Sequence, residues 1–223
     1  AVEAYHARAL VGDLVALIEG FGAPLDLLVA HDWGGAVAWA LAARHPQLLK
    51  RLLILNAPHP AAFVRELRDD PAQREASAYM NFLVRPDAAR LLAENDFARL
   101  WPFLASPFRT LGDGERARYR AVWSAGLQGA LNYYRASPIR PPVPGDDAVL
   151  HLQLPDEAVC VDVPTEVLWG EADRALRPGL LDGLARWVPD LRITRVADAS
   201  HWIVHERPER VLAAIRAAIG GAA

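Results

Sequence analysis

The segment Leu28-Val29-Ala30-His31-Asp32-Trp33-Gly34-Gly35 constrains this chain more than any other. An apolar run passes straight into a helical pattern, with a reactive side chain at the turn. Small residues flank that turn at Ala30 and Gly34. Such a strand-to-helix turn is tight and strained, and a bulky side chain at either flank is expected to clash where strand and helix approach. The pattern reads as a nucleophile elbow with aspartate, Asp32, in the exposed position. The plain alternative is that Asp32 only caps the helix at Gly34.

The surrounding pattern supports the elbow. Residues 4–19 read as an amphipathic helix with Leu10, Leu14, Leu17 and Ile18 on one face, ended by Gly20 or Gly22. Residues 25–30 (LDLLVA) form a short apolar run, the mark of a strand buried on both faces. A helix of small residues is expected over 34–45, and strands over 51–55, 165–169 and 191–196. A last helix is expected over 207–219, with Gly220 after it. Strands alternating with helices predict a mostly parallel sheet covered on both faces. Residues 61–160 differ, being rich in Arg, Ala, Leu and aromatics at helical spacing, with breaks at Pro71, Pro86, Pro102, Gly112 and Gly126. The expected organisation is a core in two parts, 1–60 and 161–223, interrupted by an all-helical cap insertion.

Composition narrows the function classes. The formal net charge is −3 over 223 residues with no basic cluster, which argues against nucleic acid as a partner. No apolar run reaches the ~18 to 20 residues that span a bilayer. The lone cysteine, Cys160, excludes an intrachain disulfide and weighs against a thiol metal site, so no metal or other cofactor is expected. A cytoplasmic location is the expectation.

Two further turns complete a constellation. Trp169-Gly170-Glu171-Ala172-Asp173 follows one predicted strand, and Ala199-Ser200-His201-Trp202 follows the next. Nucleophile, acid and base then occur in the order Asp32, Asp173, His201, each just beyond the C-terminal end of a strand, where parallel sheets form their sites. That is the chain order of the hydrolase fold. Glu171 rivals Asp173 but lies nearer the strand. His205 and His31 rival His201, with His205 expected in a helix and His31 expected to hold the turn by hydrogen bonds.

Aspartate at the elbow selects the chemistry. Unlike serine, it is ionised near neutral pH and needs no base for its first attack. On a saturated carbon it forms an alkyl ester, which water activated by His201 can cleave, with Asp173 orienting the imidazole and the Trp33 N–H holding the oxyanion. Epoxide opening and carbon–halogen cleavage both fit. The first needs an acid for the leaving oxygen, and Tyr79 and Tyr134 are candidates, although both also suit an amphipathic core. The second needs N–H donors for halide, with Trp33 and either Trp101 or Trp123 as candidates. A catalytically silent ligand-binding relative is a third reading.

The segments His31-Asp32-Trp33-Gly34-Gly35, Asn56-Ala57-Pro58-His59-Pro60, Leu131-Asn132-Tyr133-Tyr134-Arg135, Trp169 to Asp173 and Ser200-His201-Trp202 resemble the soluble epoxide hydrolases of the α/β-hydrolase fold. The likeness runs over essentially the whole chain. It implies Asp32 as nucleophile, Asp173 as acid, His201 as base, and Tyr134 and Tyr79 as the cap tyrosines that polarise the epoxide oxygen. The implied partners are a small apolar epoxide and water. Members of that family also carry early strands and a His-Gly-x-Pro loop with a second oxyanion N–H, and neither is found here. The expectation is an N-terminally truncated chain whose strand 25–30 lies at an exposed edge, with weak or no activity alone.

Overall fold

The computed structural model describes residues 1–220; the last three positions of the expected 161–223 segment lie outside the described residues. Four parallel strands, β1 (Leu28–His31), β2 (Leu52–Leu55), β3 (Thr165–Gly170) and β4 (Leu191–Val196), pair in that order. The helices are α1 (Ala7–Phe21), α2 (Asp32–Arg44), α3 (Pro60–Asp69), α4 (Pro71–Ala76), α5 (Tyr79–Leu83), α6 (Ala88–Phe97), α7 (Asp113–Ala125), α8 (Gln128–Ala136), α9 (Ala148–His151), α10 (Ile203–Glu206) and α11 (Pro208–Gly220).

The sheet is covered on both faces because its central strands carry apolar side chains throughout β2 and at Val167, Leu168 and Trp169 of β3. Along β2, Leu52 and Ile54 join the core beneath α1 and α2, whereas Leu53 and Leu55 join the core beneath α10 and α11. β2 and the inner positions of β3 are buried throughout. β1 pairs with β2 alone and forms one edge of the sheet, and its Val29 is 36% exposed. An open apolar groove runs beside that edge between Leu10, Leu14 and Leu17 of α1 and Leu28 and Val29 of β1.

The N-terminal helix differs from expectation. A short 3₁₀ turn over Val2–Tyr5 precedes α1, because His6 is extended (ψ 144°) and its ring is drawn to the Ala136 carbonyl at 3.2 Å. Val11 and Ile18 are the buried residues of α1, and Leu17 is 55% exposed. The first strand is also displaced. Leu25 makes only an isolated bridge to Leu49, regular pairing starts at Leu28, and β1 runs on to His31. The next helix starts at Asp32 rather than Gly34, and Gly220 closes α11 from within.

Between β2 and β3 the chain is helical, with breaks at the expected prolines and glycines: Pro71 opens α4, Gly112 precedes α7 and Gly126 follows it at φ 138°. His59, where the chain leaves β2, donates from Nε2 to the Val159 carbonyl at 2.8 Å, where the chain returns. One buried side chain thus ties together the two ends of the insertion. Its ring lies against Trp39 and Trp187, and burial lowers its pKa to about 4.

Candidate active site

No residue separates β1 from α2, so the chain turns at Asp32 itself, which takes φ 51°. A non-glycine residue pays for this left-handed conformation in strain, and aspartate tolerates it better than most. The space for the turn comes from Gly35. A Cβ there would stand 2.2 Å from the Ala57 Cβ, whereas a Cβ on Gly34 would meet nothing within 4 Å. The expectation that Gly34 must be small is therefore corrected, since the helix enters the core one residue later.

The Asp32 side chain is 47% exposed, and one of its oxygens lies 3.4 Å from His201 Nε2. Desolvation opposes its ionised form, but the hydrogen bond and charge of His201 and the Trp33 backbone N–H together hold its pKa below the ordinary carboxylate value.

His201 donates from Nδ1 to Asp173 at 2.8 Å. Burial disfavours the imidazolium, yet hydrogen bonds to Asp173 and Asp32 and the charges of both raise the pKa to about 10. Asp173 has no exposed side-chain surface, and both of its oxygens are occupied. Oδ1 accepts from the backbone N–H groups of Ala175 and Leu176 at 2.9 and 3.0 Å, and Oδ2 accepts from Asn56 Nδ2 and His201. A buried carboxylate held by four donors is fixed in place. Glu171, the alternative acid, faces Arg195 instead at 3.4 Å. His205 lies exposed in α10. His31 donates from Nε2 to the His201 carbonyl at 2.7 Å, which ties the elbow to the neighbouring loop.

The insertion brings Tyr79 of α5 and Tyr134 of α8 over this group. Their rings stand 6.1 Å apart at 77°. Tyr134 also packs edge-on against the Trp33 ring, with centroids 5.1 Å apart. Burial and the charge of Asp32 raise both phenols, Tyr134 to about 12 and Tyr79 well above the ordinary phenol value. Both stay protonated near neutral pH and are able to donate. Trp101 packs edge-on against Trp123 and lies under Arg116 and Arg120, its indole donating to the Asp96 carbonyl at 3.0 Å, and Trp123 packs on the same apolar cluster as Tyr79 and Tyr134.

Three buried polar residues at the site carried no role in the sequence reading. Asn56, at φ 35° after β2, bridges Asp173 and both backbone polar groups of Gly170. Gln73 of α4 grips the acid loop, donating to the Ala175 carbonyl and accepting from Arg177 N–H, each within 2.9 Å. Glu206 closes the base loop onto Ser200. Asn56 stood in a quoted motif, and its place directly after a strand was the available signal. For Gln73 and Glu206 no local signal existed, because their partners lie in other loops or require the loop to be folded.

Among the described residues, no cluster of three or more His, Cys, Asp or Glu side chains is disposed to hold a metal ion, and no helix is long and apolar enough to cross a membrane. An ionised carboxylate open to the cleft, an imidazole held between two carboxylates and a pair of phenol donors suit a two-step displacement and hydrolysis.

Comparison with known proteins agrees with this arrangement. A family model described as the alpha/beta hydrolase fold matches residues 3–208. The AB hydrolase superfamily protein YfhM of Bacillus subtilis is 31% identical over 212 residues, covering 93% of this chain and 70% of that protein. Epoxide hydrolase 3 of Xenopus tropicalis is 31% identical over 226 residues, and there the match covers 96% of this chain but only 58% of the relative. The crystal structure of a Bacillus megaterium epoxide hydrolase with an inhibitor superposes at a TM-score of 0.86 with 29% identity, covering 99% of this chain and 78% of that one. The parallel sheet, the elbow at the end of β1 and the family match over nearly the whole chain carry one conclusion: this protein belongs to the α/β-hydrolase fold family and resembles its epoxide hydrolases.

Proposed function

We propose that the protein adds water to a small apolar epoxide to give a vicinal diol, through an alkyl ester on Asp32. The observation that carries this reading is the pair of protonated phenols, Tyr79 and Tyr134, held over an ionised aspartate. An epoxide seated between them meets a nucleophile on one side and proton donors on the other.

In the first step an Asp32 oxygen attacks one epoxide carbon, the carbon–oxygen bond breaks, and the ring oxygen takes a proton from a tyrosine. The nucleophile starts ionised, so this step needs no base. Ester formation then removes the charge of Asp32 and with it one of the two carboxylates that hold His201 protonated. The imidazole becomes more acidic and gives up its proton, through solvent, to the tyrosinate left by the first step, and the neutral ring is then a base. It takes a proton from water, and the resulting hydroxide attacks the ester carbonyl. The Trp33 N–H stabilises the oxyanion. Collapse expels the oxygen that began on Asp32, which takes the remaining water proton to complete the diol, and leaves the water oxygen in the carboxylate with His201 protonated again.

The halide reading has less support, because the Trp101 indole is already engaged by the Asp96 carbonyl. The test is His201→Gln incubated with styrene oxide and a panel of other epoxides. The expected result is a stable mass increase on Asp32 equal to the intact epoxide. Absence of an adduct with every epoxide, alongside halide release from haloalkanes by the wild type, overturns the reading.

A further inference from the structure

The loop that carries His201 is closed by a buried side chain that the mechanism above does not use. Glu206 ends the four-residue helix α10 and is only 7% exposed. It turns back on Ser200, the residue directly before His201. Ser200 donates from its backbone N–H to Oε2 at 2.6 Å and from its hydroxyl to Oε1, also at 2.6 Å. The Ser200 hydroxyl oxygen in turn accepts from the Trp202 N–H at 3.3 Å. His201 is thus flanked on both sides by backbone N–H groups drawn into one small network. On its other side, its carbonyl is fixed by His31.

Glu206 also reaches the insertion. Oε1 accepts from the Ser106 hydroxyl, in the segment between α6 and α7. The same segment meets the loop twice more. The Trp202 indole donates to the Phe103 carbonyl at 2.9 Å, and Phe108 lies 5.4 Å from the Arg207 guanidinium. Phe103 packs edge-on against Tyr79 at 5.3 Å. Two sets of contacts therefore tie the His201 loop to this segment: one runs through Ser200 and Glu206 to Ser106, and the other through Trp202 to Phe103, which packs on Tyr79.

We infer that Glu206 is a positioning residue: its carboxylate sets the placement of His201 and couples that placement to the seating of segment 101–111 of the insertion. The physical case rests on burial and tolerance. A carboxylate removed from water is costly unless its oxygens are bonded, and here donors from two parts of the fold converge on it. The His201–Asp32 contact is long, 3.4 Å, so a small displacement of the loop opens it, and a misplacement of about 1 Å can cost on the order of a hundredfold in rate.

The effect on turnover rests on the proposed role of His201 as base, so the experiment has an arm that does not. In protein labelled with ¹⁵N-histidine, the His201 ring is titrated by NMR in wild type, Glu206→Ala, Glu206→Gln and Ser106→Ala, well below each melting temperature. The expected result is a downward shift of the His201 pKa in Glu206→Ala, with the His59 ring unchanged. Glu206→Gln keeps the shape with one acceptor fewer, folds where Ala does not, and is expected to give a smaller shift in the same direction. Ser106→Ala is expected to shift His201 less than Glu206→Ala. In single turnovers of styrene oxide, Glu206→Ala is expected to slow ester hydrolysis on the order of tenfold or more while ester formation changes little. A His201 titration identical to wild type in folded Glu206→Ala and Glu206→Gln overturns the proposal. So does equal slowing of both steps, and an unchanged titration in Ser106→Ala removes the coupling. If wild type forms no ester with any epoxide, the functional reading fails, and the titration still decides the role of Glu206.

Discussion

Asn56 and His201 share one oxygen of Asp173: the amide donates to Oδ2 at 2.9 Å and the imidazole at 2.8 Å. The same amide group of Asn56 also bonds both polar groups of Gly170, as donor at 3.1 Å and acceptor at 2.7 Å. The residue after β2 thus joins the end of β3 to the carboxylate that orients the imidazole. Asn56→Ala removes all of these bonds and leaves buried groups unpaired. We expect a loss of about 2 kcal/mol or more in urea unfolding. A change within about 0.5 kcal/mol contradicts the network as described.

Adjacent glycines at the elbow are expected to respond in opposite ways. Gly35→Ala drives a Cβ to 2.2 Å from Ala57, and Gly170→Ala drives one to 2.4 Å from the Ser200 carbonyl oxygen. Each is expected to cost about 1–3 kcal/mol or more. Gly34→Ala meets open space within α2 and is expected to be neutral or to stabilise by up to about 1 kcal/mol. Denaturant midpoints of the three variants test the contrast. Equal effects at Gly34 and Gly35 contradict it.

The raised pKa of His201 has a stability consequence of definite sign. The folded value is about 10, against an ordinary value of 6.5. The folded state therefore holds this proton more tightly than the unfolded state. Its contribution is full below about pH 6.5 and is lost as pH rises through 10. Wild-type stability is expected to fall across that window, and His201→Gln is expected to fall less. Asp32→Asn removes one of the two carboxylates, as ester formation does, and is expected to lower the His201 pKa in an NMR titration. An unchanged pKa contradicts the proposal that consumption of the nucleophile releases the base.

Much of the fold was legible in local pattern. β2 is a continuous apolar run, and β3 is apolar from Val167 to Trp169, because both of their faces are buried there, and the elbow announces itself where β1 passes into α2. Asp32, Asp173 and His201 meet because each follows a strand on one edge of a parallel sheet, which sequence order alone conveys. What was not legible depends on contacts between distant segments. His6 breaks the first helix through a bond to Ala136, 130 residues away. Gly35, not Gly34, is the tight position because of Ala57 on a different element. Gln73 and Glu206 look like ordinary polar helix residues until the loops they hold are folded against them.

The tyrosines provide a kinetic prediction. Tyr79→Phe and Tyr134→Phe each remove a proton donor from the cleft and leave Asp32 and His201 in place. Each is expected to slow ester formation, on the order of tenfold to a hundredfold, with ester hydrolysis much less affected. The double variant is expected to form no ester in rapid-quench experiments. Full activity in the double variant contradicts the assignment of the phenols and favours halide as the leaving group.

The most direct test of the central claim follows oxygen. Wild-type protein in excess over styrene oxide is allowed a single turnover in ¹⁸O-water, and both the diol and the peptide containing Asp32 are analysed by mass spectrometry. The ester mechanism predicts that the label enters the Asp32 carboxylate and that the first diol released carries none. Label in the diol, with an unlabelled Asp32 peptide, means that water attacks the epoxide directly and contradicts the account.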